Sequence, residues 1–267
     1  MGNVQTDVCH GITMIPIFVI NLATSPERWA SASSRLLELN LKAKRFNAVL
    51  GKDLSSEEIE NVYDAKANKK YHHRNLTAGE IGCYISHRNI WQKMVSENIS
   101  KCLILEDDLL IDDELVDVLS HIQSLSGWDM IKIFDNRDVP FQEKVKLDDT
   151  YTLGNFTKVP NCALGYALSL AGAQKLLKRK KFFRAVDVDI QIHSEVGINI
   201  FGIKPYRISQ NARFDSDIEA VNEGRHSNRS TFLRNLKFRI KMYLERKHIS
   251  GDISKVASNS DDLNKHF

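Results

Sequence analysis

The chain contains 267 residues, of which 42% are hydrophobic and 27% charged, and its formal net charge is +3. This composition excludes a disordered tail, a collagen-like fibre and a small protein held together by disulfides. A chain of this length buries one large core or two small ones, and its near-neutral charge argues against a protein that coats nucleic acid.

Cysteine use and the N-terminal segment indicate the compartment. The four cysteines are Cys9, Cys83, Cys102 and Cys162. They form no CxxC pair, which predicts that they build no metal site and fits a reducing environment. The apolar run 15–20 is too short to span a bilayer, and residues 1–13 lack the basic leader and cleavage site of a secretory signal. We therefore expect a soluble cytoplasmic protein.

Strand patterns and helix patterns alternate along the first two thirds of the chain. Apolar, β-branched segments predict strands at 15–20, 45–50, 102–105, 130–134, 162–168 and 200–208, with a hairpin between 144 and 160. Capping signals and apolar periodicity predict helices that begin near residues 26, 55, 78, 112, 170 and 188. Strands separated by helices predict an α/β domain built on a mostly parallel sheet.

The helix predicted after residue 77 carries the clearest signals. Thr77 and Glu80 have the spacing of a capping box, so the first role expected of Glu80 is that of a capping acid. Six residues then recur on one helical stripe: Cys83, Tyr84, His87, Trp91, Met94 and Val95. Because His87 lies on this apolar stripe, a hydrogen-bonded core histidine is favoured over a catalytic one.

Acidic residues are concentrated between Cys102 and Asp117, where the sequence holds seven acids and no bases. The last four acids open a predicted helix, where negative charge complements the helix dipole. Glu106, Asp107 and Asp108 instead follow a buried strand directly, at the position where open α/β sheets bind ligands. Clustered carboxylates suit Mg²⁺ or Mn²⁺ with substrate phosphates, and on spacing alone a structural turn is equally compatible.

Several segments in order resemble glycosyltransferase family 25, the bacterial lipooligosaccharide galactosyltransferases and their relatives. The resemblance covers roughly residues 14 to 217. The segments that carry it are Phe18-Val19-Ile20-Asn21-Leu22, Ser25-Pro26-Glu27-Arg28, Leu76 to His87 with Trp91, Leu105-Glu106-Asp107-Asp108, Gly165 to Ser169 with Gly172-Ala173 and Leu176-Leu177, Val186-Asp187, and the more distant Gln210 and Ser216.

The resemblance implies a GT-A-like domain that transfers a hexose, most often galactose and alternatively glucose, from a UDP-sugar to a lipooligosaccharide or lipopolysaccharide acceptor. It implies Mn²⁺ or Mg²⁺ as cofactor, with Asp108 and Glu106 as metal ligands and Glu106 or Asp107 in contact with the ribose or metal-bound water. It also implies inversion, which requires a carboxylate as general base. Asp187 is our candidate, with Asp189 as a second, and helix capping by Asp187 is nearly as compatible with the sequence.

Two further donor contacts have structural alternatives. Arg28 lies near the first strand end, where its guanidinium can meet a diphosphate, but a surface pair with Glu27 or Glu38 explains it equally well. Asn21 either contacts the nucleotide or simply ends its strand. His72 and His73 have no partners at metal-ligand spacing and are expected in an exposed polar loop.

The C-terminal part of the chain is strongly basic. Residues 225–248 hold eight bases and Glu245 alone, a net charge of +7, and apolar residues recur there at helical spacing. Such a helix either lies on an anionic membrane surface or packs on the domain with its bases in solvent. We divide the chain into a catalytic domain, 14–217, and a C-terminal appendage, 218–267, that comprises a loop, the basic helix and a frayed tail.

Two other function classes are compatible with parts of this pattern. A protein of the same fold that binds a sugar nucleotide or glycan without turnover is the main alternative, and the intact acidic triplet disfavours it. A nucleic-acid-binding role is weaker, because no groove-reading motif accompanies the basic segment, and we expect no nucleic-acid partner. Neither a Walker A loop nor a GxGxxG turn is present, which argues against nucleotide hydrolysis and dinucleotide chemistry. The oligomeric state is not encoded in any pattern we recognise.

Overall fold

The computed structural model describes residues 15–211 and 232–258. The strands are β1 Ile17–Asn21, β2 Ala43–Asn47, β3 Lys101–Glu106, β4 Leu109–Ile111, β5 Leu125–Ser126, β6 Met130–Lys132, β7 Lys144–Lys146, β8 Thr152–Asn155, β9 Gly165–Ser169, β10 Ile200–Lys204, β11 Ile208–Gln210 and β12 Ala257–Ser258. The helices are α1 Pro26–Glu38, α2 Ser56–Val62, α3 Ala65–Tyr71, α4 Ala78–Ser96, α5 Leu115–Ser124, α6 Leu170–Leu176, α7 Val186–Gln191 and α8 Phe232–Glu245.

Eight strands form the main sheet, in the order β2-β1-β3-β9-β6-β10-β8-β7. The α/β class is confirmed, but the expectation of a mostly parallel sheet is wrong. Only β1–β2, β1–β3 and β6–β10 are parallel pairs, and the other four are antiparallel. A strand that is buried on both faces is continuously apolar in either direction, so the sequence of β9 carries no information on its orientation. A mixed sheet of this kind is compatible with a GT-A-like fold.

Helices cover both faces of this sheet. Alternate residues of β3 point to opposite cores: Leu103 and Leu105 pack in the cluster that includes α1 and α5, and Ile104 packs in the cluster that includes α4 and α6. The capping box predicted at Thr77 and Glu80 is present, with both reciprocal hydrogen bonds. α4 is thereby fixed at its first turn, directly beside the ends of β1 and β3.

A close approach between α4 and the turn after β2 narrows the space next to these strand ends. Gly82 of α4 lies against this turn, and a Cβ at Gly82 would lie 2.4 Å from the carbonyl oxygen of Val49. A Cβ at Gly51 would likewise overlap the carbonyl of Ala78. Two glycines therefore let the backbone of the turn contact the backbone of the helix.

Several element bounds differ from the prediction. The hairpin between 144 and 160 is present as β7 and β8. α7 begins at Val186 rather than near 188, and the segment predicted as one strand at 200–208 divides into β10 and β11. None of the helices in the described ranges combines the length and the apolar composition that crossing a bilayer requires.

The basic helix α8 packs against the domain and is not a detached appendage. Its Arg234 donates to the backbone carbonyl of His72 at 3.1 Å, and the Phe238 ring lies 5.2 Å from the ring of His72. His72 is therefore buried, contrary to the exposed loop expected, and burial lowers its pKa to about 3. The domain boundary proposed at 217/218 and Ser216 lie outside the described residues.

Candidate active site

The ends of β1 and β3 lie side by side and deliver the acidic triplet to one edge of the sheet. Ile20 of β1 is the register partner of Glu106 at the end of β3, and parallel pairing places both carboxyl ends at the same edge. The strand ends, the turn at 48–52 and the first turns of α4 line a cleft that is open to solvent. Glu106, Asp107 and Asp108 all line this cleft.

Asp107 is held by two side chains from the first strand–helix unit. Asn21 Nδ2 donates to Asp107 Oδ2 at 2.5 Å, and Arg28 Nη1 lies 3.4 Å from Asp107 Oδ1. Arg28 is buried and lines the cleft, so the alternative of a surface arginine paired with Glu27 or Glu38 is wrong. Burial raises the pKa of Asp107, and the hydrogen bond from Asn21 and the charge of Arg28 oppose that rise.

Asn21 acts within the protein and does not contact the cleft. It is 1% exposed, its Nδ2 also donates to the backbone carbonyl of Ser25 at 2.8 Å, and its Oδ1 accepts from Arg45 Nε at 2.7 Å. All of its amide groups are thus satisfied by protein atoms. These bonds disfavour the expected donor contact of Asn21 and fit a residue that positions Asp107 and Arg45.

Asp108 has the least satisfied carboxylate of the three. Its Oδ1 is buried and has no hydrogen-bond partner among the described residues, while its Oδ2 accepts a long contact from Gln210 Nε2 at 3.5 Å. Burial and the neighbouring charge of Glu106 raise the pKa of Asp108 to about 6. A buried carboxylate oxygen without a donor is the arrangement expected of a cation ligand.

Glu106 is joined to α4 through His87. His87 Nε2 lies 3.2 Å from Glu106 Oε1, and His87 Nδ1 lies 2.9 Å from the Tyr166 hydroxyl. His87 is a fully buried, hydrogen-bonded histidine, as favoured from the sequence, and it also lines the cleft. Cys83, one turn earlier, completes a group with His87 and Glu106 whose potential ligand atoms lie within 4.8 Å of one another.

Cys83 thus lies in a group with potential metal-ligand atoms, although the cysteine spacing predicts no metal site. Cys83 and His87 are separated by four residues on α4, and Glu106 comes from β3, so the group has no linear spacing to detect. Burial and the nearby carboxylates raise the pKa of the Cys83 thiol well above its usual value. A protonated thiol is a poor metal ligand, which makes the oxygen ligands of Glu106 and Asp108 the better cation site.

Asp187 lies outside the residues that line the cleft but within the electrostatic reach of Glu106. Burial raises its pKa, a hydrogen bond from the Val188 backbone NH opposes that rise, and the charges of Glu80 and Glu106 add to it. It is half-buried and lies in the first turn of α7, where Ala185 occupies the cap position. Asp187 is therefore not the N-cap residue, although its Oδ1 accepts from the Val188 backbone NH at 2.8 Å, and the charge of Glu106 acts on its carboxylate.

Asp189, the second candidate base, is used in a buried ion cluster. Its Oδ2 accepts from the Tyr84 hydroxyl at 2.6 Å and lies 2.8 Å from Arg179 Nε. Its Oδ1 lies 3.2 Å from Arg184 Nη1. Both carboxylate oxygens are engaged, so the geometry assigns Asp189 to the packing of α7 and disfavours it as a proton acceptor.

Lys132 is a buried charge within the electrostatic reach of Asp187 and Glu106 that the sequence pattern did not reveal. It lies in β6, is 0% exposed and donates to the backbone carbonyl of Cys162. Burial lowers its pKa, and its charge in turn lowers the pKa of Asp187. A single lysine inside the apolar segment 130–134 is the signal that could have identified it, because an unpaired lysine is rarely buried.

Sequence comparisons are consistent with this geometry. The sequence profile described as "Glycosyltransferase family 25 (LPS biosynthesis protein)" matches residues 14–192. The chain belongs to glycosyltransferase family 25. This match covers the whole acidic cleft, the Cys83–His87 turn of α4 and Asp187.

Three relatives show the range of family 25. The chain is 34% identical over 206 residues to "Glycosyltransferase 25 family member" of Aedes aegypti, covering 70% of this chain and 33% of the relative. It is 31% identical over 181 residues to "Procollagen galactosyltransferase 1" of Danio rerio, covering 65% and 30%. It is 34% identical over 184 residues to "Inactive glycosyltransferase 25 family member 3" of Mus musculus, again covering 65% and 30%. The chain thus spans about a third of the length of these relatives.

Proposed function

We propose that the protein is a metal-dependent hexosyltransferase that moves galactose, with glucose as the alternative, from a UDP-sugar to a lipooligosaccharide or lipopolysaccharide acceptor. The observation that carries the proposal is the buried, unpartnered oxygen of Asp108 beside Glu106 in the family 25 cleft. A nucleoside diphosphate needs both a cation and donors for its phosphates, and both kinds of group meet at this edge of the sheet.

The donor-binding groups are Arg28, Glu106 and Asp107. The Arg28 guanidinium lines the cleft and can face a diphosphate, while its pairing with Asp107 holds its orientation. Glu106 is 28% exposed at its side chain, which leaves one oxygen available besides the one near His87. Two relatives named procollagen galactosyltransferases support galactose as the transferred sugar.

The cofactor we propose is Mn²⁺ or Mg²⁺, held by Asp108 and Glu106. Asp107 contributes less, because Asn21 and Arg28 already occupy its oxygens. When bound, such a cation neutralises charge on the leaving diphosphate. The raised pKa of Asp108 means that the free site is costly to ionise, and a cation removes that cost.

Asp187 is the general base in this proposal. In an inverting transfer the acceptor hydroxyl oxygen forms a bond to the anomeric carbon while the bond from that carbon to UDP breaks. The hydroxyl proton passes to the Asp187 carboxylate, and UDP leaves with the bonding electron pair. The burial of Asp187 and its acidic neighbours raise its pKa toward the range in which a carboxylate accepts a proton efficiently.

The acceptor is the least constrained part of the proposal. The family description names lipopolysaccharide biosynthesis, whereas some relatives are named for procollagen. We favour a lipopolysaccharide or lipooligosaccharide acceptor because the description of the matched family profile names LPS biosynthesis, and the profile covers most of the described chain.

The direct experiment measures UDP release and glycan extension with UDP-galactose or UDP-glucose, Mn²⁺ and a truncated lipooligosaccharide. We expect Asp108→Asn to reduce turnover by roughly 10²-fold or more, because it removes a charged metal ligand. Asp117→Asn is the matched control, since Asp117 is exposed on α5 and away from the cleft lining. Full activity of Asp108→Asn would contradict the metal site.

A second candidate function is sugar-nucleotide or glycan binding without turnover. Two relatives support this alternative, one named "Inactive glycosyltransferase 25 family member 3" in mouse and one named "Probable inactive glycosyltransferase 25 family member 3" in rat. Calorimetry separates the two, because the alternative predicts UDP binding with no transfer to any acceptor in the same preparation.

A further inference from the structure

Helix α8 is oriented with its apolar face away from the domain. We define its apolar stripe as Leu233, Leu236, Ile240, Tyr243 and Leu244. All five side chains are exposed, from 45% for Leu236 to 67% for Leu233. At 3.6 residues per turn they fall within an arc of about 100°, which is the width of the face that a surface helix normally buries.

Charged residues occupy the face that packs on the domain. Glu245 is 4% exposed and accepts from the Ser194 backbone NH at 2.9 Å and from the Ser194 hydroxyl at 2.8 Å. Lys241 Nζ lies 3.1 Å from Glu195 Oε1, and Arg234 donates to the Asn68 side chain at 3.2 Å. Turning the helix over would leave these groups unpaired, so the outward direction of the stripe is fixed by the polar contacts.

Cations flank the stripe on both sides. On the helical wheel Lys237 borders one side, and Arg239 and Arg246 lie on the other. Arg239 and Arg246 also line a cleft with Lys158 and the apolar side chains of Phe238 and Met242. Within the described part of the chain, Lys158, Arg239 and Arg246 form no ion pair with an acidic residue.

We propose that α8 is a membrane-contacting helix whose apolar stripe inserts at the boundary between the headgroups and the acyl chains of a bilayer that contains anionic lipids. The stripe supplies the apolar area that partitions into the acyl boundary, and the flanking cations meet lipid phosphates. Charge favours an anionic bilayer over a second copy of the chain. Anionic headgroups attract the flanking cations, whereas a second copy would place the same cations opposite one another. The proposal does not depend on hexosyl transfer, since it rests on α8 alone.

The test is co-sedimentation of the full chain with vesicles of phosphatidylcholine alone or with about 30% phosphatidylglycerol, at low and high salt. We expect binding to the anionic vesicles that weakens in high salt. We expect Leu236→Ser/Ile240→Ser and, separately, Arg239→Gln/Arg246→Gln to weaken that binding by roughly tenfold or more. Because these residues are exposed, the variants should keep the melting temperature of the parent.

Matched controls remove equivalent groups elsewhere. Leu37→Ser removes an exposed leucine of α1, and Lys44→Gln/Lys146→Gln removes two exposed lysines of β2 and β7. Both should bind vesicles as the parent does. Equal binding by the α8 variants and the parent, or no binding by the parent, would overturn the proposal. A dimer in sedimentation velocity that is lost in Leu236→Ser/Ile240→Ser, without vesicle binding, would assign the stripe to a second copy instead.

Discussion

Asp187 and Asp189 are two residues apart on α7, yet their carboxylates lie in different electrostatic surroundings. Asp189 is bonded to Tyr84 and paired with Arg179 and Arg184, so positive charge surrounds it. Asp187 instead lies among acidic neighbours that raise its pKa. One short helix thus places two carboxylates in different surroundings, because residues two apart on a helix point in directions about 200° apart.

This difference predicts that two conservative substitutions change different properties of the protein. Asp187→Asn should lower kcat by roughly 10²- to 10⁴-fold, the range typical of a lost general base, with UDP affinity and melting temperature close to those of the parent. Asp189→Asn should lower the free energy of unfolding by about 3 kcal/mol, because it removes one of the two acids that pair with the buried Arg179 and Arg184. Urea unfolding and steady-state kinetics on both variants check the assignment, and exchanged outcomes would reverse it.

The buried pair of Arg28 and Asp107 predicts a coupling between stability and donor binding. Arg28→Met should destabilise the fold by about 3 kcal/mol and weaken UDP binding, because it leaves the Asp107 charge buried with Asn21 as its remaining partner. The double variant Arg28→Met/Asp107→Asn should recover part of the stability and none of the UDP binding. Additive losses in unfolding free energy would show that the pair is not coupled.

Metal affinity should depend on pH through Asp108. Because its pKa is raised to about 6, the carboxyl becomes protonated as the pH falls through that value and competes with the cation. Below pH 6 the apparent Kd for Mn²⁺ should rise by about tenfold per pH unit and above pH 7 it should level off. Electron paramagnetic resonance of free Mn²⁺ measures this without turnover. A Kd independent of pH from 5 to 7.5 would remove Asp108 from the ligand set.

The sequence predicts those features of the fold that depend on local signals. The capping box of Thr77 and Glu80 and the strand that ends at Glu106 are present as expected, because capping and apolar runs act over a few residues. The direction of β9 was not predictable, since it depends on the partners β3 and β6 and not on its own residues.

The residues of the site likewise divide into those that are contiguous in sequence and those that the fold brings together from distant segments. The acidic triplet is contiguous and was identified, whereas the neighbours of Glu106 come from α4 and from across the sheet. Cys83 and Lys132 were missed for that reason. The orientation of α8 stayed open in the sequence, because amphipathicity gives the width of a stripe but not the side that packs. Arg234 and Glu245 decide that side through partners in distant segments.

The ion pairs of Glu195, which include Lys241 of α8, make the stability of the fold depend on pH. The burial of Glu195 opposes its ionisation, but Arg184, Arg179 and Lys241 outweigh that effect and lower its pKa to about 2. A lowered pKa in the folded state stabilises the fold at pH values above the unfolded pKa of about 4.5, and this contribution is lost as the pH falls toward 2.

After allowance for partial exposure, Glu195→Gln should cost about 2 kcal/mol of unfolding free energy at pH 7, less than half of that at pH 3, and nothing below pH 2. Glu97→Gln, which removes an exposed acid paired with Lys93, should cost about 0.5 kcal/mol or less. Urea unfolding at each pH measures both, and a cost for Glu195→Gln that is equal at pH 3 and pH 7 would show that its charge does not stabilise the fold.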